Sequence, residues 1–190
     1  MIEQGQFKKA IELALELHGD QTRKGSEIPY MGHLLGVTSI VIDDGGSDSE
    51  VLAALLHDGP EDSGGEETLA LIKDEFGDEV AEIVDHLSDT FEDPKPPWRE
   101  RKETYLAELE DLPVDELGRK VLRVSLADKL HNVRSIQLDK HDFGEEIWAR
   151  FRGGKDGSLW YYRTLAEIYE RKLGRTALVE EFRDAVERVA

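Results

Sequence analysis

The sequence predicts an all-α fold. Three observations carry that prediction. Apolar residues recur at helical spacing along most of the 190 residues. Glycine and proline mark the breaks at Gly25 and Pro29, Gly45-Gly46, Gly59-Pro60 and Gly77. No convincing alternating stretch marks a strand, and no internal repeat appears.

The elements follow in order. Residues 4–18 place Phe7, Ile11, Ala14, Leu15 and Leu17 largely on one helical stripe. Asp20 to Tyr30 holds Gly25 and Pro29 and is predicted as a loop. His33 to Asp43 resumes the helical pattern up to Gly45-Gly46. Ser47 and Asp48 can cap the next helix, whose apolar run is Val51 to Leu56. That helix delivers His57-Asp58, and Gly59-Pro60 is expected to stop it. Residues 66–76 and 78–87 form a predicted helical pair broken at Gly77.

A Pro-rich connector spans 92–97, and a helix is expected from Trp98 to Glu110. Glu116 to Leu138 is long and periodic, with Val121, Leu122, Val124, Leu126, Leu130 and Val133 as its buried face. Trp148 and Phe151 belong to a further short helix, and Gly153 to Gly157 is expected to be a flexible loop. Two amphipathic helices, 158–173 and 176–189, close the chain. The expectation is about nine or ten helices in one domain covering 1–190, with 158–189 packed on it.

Composition narrows the function. The formal net charge is −18, with 35% charged and 39% hydrophobic residues. Such a surface repels phosphate backbones, so no nucleic-acid partner is expected. Any anionic small molecule needs a local concentration of metal, Lys and Arg. No apolar run is long enough for a bilayer, so no membrane partner is expected. Met1 to Lys9 lacks the apolar core of a signal peptide. Cysteine is absent, which rules out disulfides and thiolate ligands and fits a cytoplasmic location. The oligomeric state is not set by these features.

The chemistry concentrates in a few side chains. His33, the pair His57-Asp58, and Asp128 are residues able to bind a divalent cation. Two His and two Asp leave positions open for water and substrate. Glu61 and Asp62 follow Asp58 by three and four residues, a crowding of acids that a cation would relieve. The plain alternative is a capped helix end with solvated acids. Asp128 lies among Leu and Ala, where an unpaired carboxylate is costly. Its alternative is a buried ion pair with Arg123 or Arg134. His131 and Asn132 share its helical face, but His131 is expected to be an ordinary core or surface histidine. Lys129 is either a site cation or a surface ion-pair residue. His18, His86 and His141 show no ligand spacing and are expected to be structural. Lys95, Arg99, Arg101 and Lys102 either meet a phosphate or line a helix face paired with Glu100 and Glu103.

Three motifs, RKGSEIPYMGH (23–33), LLHDGPED (55–62) and SLADKLHN (125–132), together resemble the HD-domain phosphohydrolases. The closest branch is the hydrolase domain of the Rel/SpoT alarmone enzymes and the small alarmone hydrolases, over about residues 5 to 170. The resemblance implies that His33, His57, Asp58 and Asp128 hold a divalent metal, most often Mn²⁺. It implies that Glu61 and Asp62 position or activate the attacking water. It also implies substrate contacts from Arg23, Lys24 and Asn132, and more loosely from Tyr161. Lys129 is a further candidate to meet the anionic substrate. The implied reaction removes the 3′-pyrophosphate of the nucleotide ppGpp or pppGpp. Related alternatives are phosphate removal from nucleoside mono- or triphosphates or NADPH, and a non-catalytic nucleotide sensor. The departure is Gly59-Pro60 between HD and ED, which is expected to stiffen the turn and could shift Glu61.

Overall fold

The computed structural model describes residues 3–91 and 94–190. Its α-helices are α1 (Gln4–His18), α2 (Met31–Asp43), α3 (Asp48–Leu56), α4 (Gly59–Asp62), α5 (Glu66–Phe76) and α6 (Asp78–Leu87). They continue with α7 (Trp98–Asp111), α8 (Glu116–Phe143), a 3₁₀ segment (Gly144–Arg150), α9 (Gly154–Leu173) and α10 (Ala177–Val189). Thr22 and Pro29 form an isolated antiparallel bridge that pins the loop after α1. No strand appears among the described residues, so the all-α expectation holds. No helix among them is long and apolar enough to cross a membrane.

The 28-residue α8 is the axis of the fold and packs on α2, α3, α6, α9, α10 and the 3₁₀ segment. Val121, Leu122, Val124, Leu126, Leu130 and Val133 are all buried along it, as the periodicity requires. Polar groups inside are paired. Ser125 Oγ lies 2.8 Å from Tyr105 Oη and 2.6 Å from Tyr169 Oη, joining α7, α8 and α9. Arg123 reaches Glu50 at 2.5 Å and Asp44 at 2.8 Å, tying α8 to the start of α3. Glu50 also closes a capping box with Ser47.

Four expectations change. Gly59-Pro60 ends α3, but the chain then turns directly into α4, with Pro60 in the first turn. Proline is tolerated there because that turn needs no N–H partner. The long helix runs on from Leu138 to Phe143 before Gly144, at φ 60°, ends it. Phe151 falls just beyond the 3₁₀ segment, whereas Trp148 lies within it. The stretch 153–157 is mostly the first turn of α9, not a flexible loop. Two of its glycines answer to space, since a Cβ on Gly153 would sit 2.6 Å and one on Gly157 3.2 Å from the Trp98 ring, whereas Gly154 takes φ 60°. The connector is described from Pro94; Glu92 and Asp93 lie outside the described residues.

Candidate active site

Four helices deliver four side chains to one point. His33 comes from the first turn of α2, His57 from the end of α3, Asp58 from the cap of α4, and Asp128 from the middle of α8. Ligand atoms of His33, His57 and Asp58 all lie within 4.8 Å of one another. Asp128 Oδ1 joins them, 3.2 Å from His33 Nε2 and 3.7 Å from His57 Nε2. Asp58 Oδ2 is 3.0 Å from His57 Nε2 and 3.5 Å from His33 Nε2. His33, His57 and Asp128 are buried.

The hydrogen bonds around this cluster decide what fits it. His57 Nδ1 lies 2.9 Å from the Ala54 carbonyl, which can only accept, so Nδ1 carries the proton. A neutral His57 therefore turns the lone pair of Nε2 toward two carboxylates, and this buried nitrogen has no hydrogen-bond partner. Burial opposes a charge on His57, yet the Asp58 and Asp128 carboxylates hold its pKa well above the usual value. The point where these atoms meet thus calls for positive charge, and a divalent cation suits its nitrogen and oxygen donors.

Outer contacts orient the donors. Tyr30 Oη donates to Asp58 Oδ2 at 2.6 Å. His131 Nδ1 lies 2.9 Å from His33 Nδ1. It fits there because Gly36 has no side chain; a Cβ would come within 2.3 Å of the His131 ring. His131 is thus a support for His33 rather than an ordinary histidine. Burial, and then the neighbouring His33, push its pKa down to about 4. Asn132 Nδ2 donates to Asp128 Oδ1 at 2.6 Å, and its Oδ1 accepts from Arg23 at 3.0 Å. Asp128 also pairs with Lys129, while Arg123 and Arg134 pair elsewhere.

The two following acids have separate holders. Gln21 Nε2 donates to Asp62 Oδ2 at 2.8 Å, and Gln21 Oε1 lies 2.6 Å from Nδ1 of buried His18. His18 therefore stands behind the site, stacked on Tyr30. Glu61 Oε1 accepts from Lys95 at 2.9 Å, and Arg101 is 3.9 Å away. Burial first, and then the charge of Asp89, raise the pKa of the Glu61 carboxyl.

Two cavities are lined by residues next to the cluster rather than by its four members. One, of about 520 Å³, is lined by Arg23, Lys24, Tyr30, His131, Asn132 and Tyr162, with Arg150 farther along. The other, of about 680 Å³, is lined by Glu61, Asp62 and Lys95 among others.

Comparison with protein families matches residues 10–158 to the HD domain. The chain belongs to the HD-domain family. It is 39% identical over 175 residues to the guanosine-3′,5′-bis(diphosphate) 3′-pyrophosphohydrolase MESH1 of Xenopus tropicalis, covering 90% of this chain and 87% of that one. It is 33% identical over 182 residues to the human MESH1, covering 94% and 91%. Among solved structures, a metazoan orthologue of SpoT described as hydrolysing ppGpp shares the fold, at TM-score 0.76 and 22% identity over 99% of this chain and 97% of that one.

Within this HD domain the expected substrate residues divide. Arg23, Lys24 and Asn132 line the 520 Å³ cavity. Lys129 does not; it is half-buried, pairs with Asp128 and lies 5.1 Å from the Tyr105 ring. Tyr161 does not either. It is buried against Trp98 and Tyr162, with no partner for its hydroxyl, and its neighbour Tyr162 meets the cavity instead. Adjacent helical residues point about 100° apart, so packing alone separates the two tyrosines. The basic segment is internally paired: Arg101 and Lys102 hold Asp89, and Arg99 stacks on Trp160 and pairs with Glu103. Glu103 is the partner the helix-face reading expected, whereas Asp89 is not.

Proposed function

We propose that this chain is a metal-dependent hydrolase that removes the 3′-pyrophosphate of ppGpp, with Mn²⁺ as its ion and the cytoplasm as its location. The observation that carries the reading is the unpartnered His57 Nε2, buried between two carboxylates beside a cavity lined by Arg23 and Lys24. The identity to the two MESH1 hydrolases over nearly the whole chain supports the substrate.

His33, His57, Asp58 and Asp128 would hold the ion. Bound there, it would supply Lewis acidity, drawing charge from a phosphoryl oxygen and making water more acidic. Glu61 accepts the proton as the water oxygen bonds to phosphorus. The bond from phosphorus to the ribose 3′-oxygen breaks, that oxygen takes a proton from solvent, and GDP and pyrophosphate leave. Asp62, held by Gln21, orients the water. Arg23 and Lys24 offset substrate charge against a protein of net charge −18. Tyr162 offers a ring face to the nucleoside.

Incubation with Mn²⁺ and ppGpp, followed by ion-exchange chromatography, tests the reading. GDP and intact pyrophosphate are the expected products. No turnover with the metal bound overturns the ppGpp assignment, and orthophosphate release points to a different ester. The two tyrosines provide a sharper check on the pocket. Base–aromatic stacking is worth roughly 1–3 kcal/mol, so Tyr162→Leu is expected to raise KM about tenfold. Tyr161→Phe is expected to leave KM nearly unchanged. The reverse ranking in steady-state kinetics would move the nucleoside out of this cavity.

A further inference from the structure

Lys95 meets Glu61 from a segment with no regular structure, and its side chain is 34% exposed. A flexible lysine in such a place loses much entropy to hold one bond, so the segment itself must be held. Trp98, three residues on, supplies the hold. Its six-membered ring occupies the space that side chains at 153 and 157 would fill. An ideal Cβ would lie 2.6 Å from that ring at Gly153 and 3.2 Å from it at Gly157. Trp160 and Tyr161 close the groove, with ring centroids 6.5 and 6.4 Å from Trp98 in edge-on geometry. Between Lys95 and Trp98 the chain is Pro96-Pro97, and Arg101 Nε donates back to the Pro96 carbonyl at 3.2 Å. Two prolines leave little backbone freedom, so seating Trp98 fixes where Lys95 stands. Gly153 has φ −80° and ψ −7°, a backbone any residue adopts. Glycine is needed there for room and not for conformation.

We propose that Trp98, seated in the Gly153–Gly157 groove of α9, is a positioning residue that holds Lys95 against Glu61. Through Lys95 it sets the orientation of the carboxylate that takes the proton from water. This rests on the reading of Glu61 given above.

The test is a set of variants assayed for kcat and KM on ppGpp with Mn²⁺. Gly153→Ala adds one methyl group whose three nearest neighbours are all atoms of the Trp98 ring. It is expected to lower kcat about tenfold with KM little changed, because misplacing a catalytic group acts on the chemical step. Lys95→Met, on an exposed segment, is expected to lose kcat by a similar factor. Adding Gly153→Ala to Lys95→Met should cost nothing more, since both act through one contact. Trp98→Phe shortens the ring, so combining it with Gly153→Ala should recover most of the lost rate. A folded Gly153→Ala with wild-type kcat overturns the proposal. So does a multiplicative loss in the Lys95→Met double variant, which needs no recovery to be read. A Lys95→Met effect confined to KM also overturns it by making Lys95 a substrate contact. Wild-type turnover, and its loss in Glu61→Gln, separate failure of this inference from failure of the reading beneath it.

Discussion

Asp58→Ala is expected to abolish both tight metal binding and hydrolysis. Its Oδ2 is the carboxylate oxygen nearest His57 Nε2, at 3.0 Å, and it also accepts the Tyr30 hydroxyl. Removing it takes away one of two negative charges that face the unpartnered nitrogen, so an ion bound there loses both a ligand and charge balance. Loss of an outer partner of a metal ligand already costs about 10–100-fold, and loss of the ligand itself is expected to exceed that. Metal content after dialysis and turnover measured on the same sample check the outcome. Full activity with metal retained would refute the assignment of Asp58 as a ligand. The scaffold is expected to persist, because the core helices pack through many buried apolar residues that Asp58 does not belong to.

Glu61→Gln is expected to leave fold and metal content intact while lowering kcat by roughly two or more orders of magnitude, the scale of general base catalysis. The substitution keeps the shape and an oxygen for Lys95 to reach, so it removes mainly the ability to take a proton. The pH dependence follows with its sign. Burial and Asp89 raise the Glu61 pKa above the 4.5 of an ordinary glutamate. The base works only when ionised, so wild-type kcat is expected to fall as pH drops toward that raised value. Glu61→Gln should lose this acid limb along with the rate. An unchanged rate at neutral pH would remove Glu61 from the mechanism.

Much of the fold is legible because long helices carry their own signal. The pattern predicts α5 and α6 to the residue, since glycine at 77 separates two clear apolar stripes. The start of α9 is not legible. A stretch holding Gly153, Gly154 and Gly157 looks flexible from composition, and only Trp98, more than fifty residues earlier, explains the small side chains at 153 and 157. His131 was similarly hidden. Its spacing from Asp128 is visible, but its contact with His33 depends on room left by Gly36 on another helix. The alternative partners for Asp128, Arg123 and Arg134, were a matter of helix position; packing sends them to Glu50 and Glu181 instead.

By itself the sequence determined the helical class and the family, through local periodicity and three motifs whose spacing lies within short stretches of chain. It also named the four residues that the fold brings together. Tertiary structure decided which side chains share a cavity. Tyr162 rather than Tyr161 faces it, Lys129 pairs with Asp128, and the basic segment divides, with Arg101 and Lys102 on Asp89, Lys95 on Glu61 and Arg99 exposed beside Glu103. The physical reason is one of range. Periodicity and capping act within a few residues, whereas the direction of a side chain at a site is set by helices that meet only after the chain has folded.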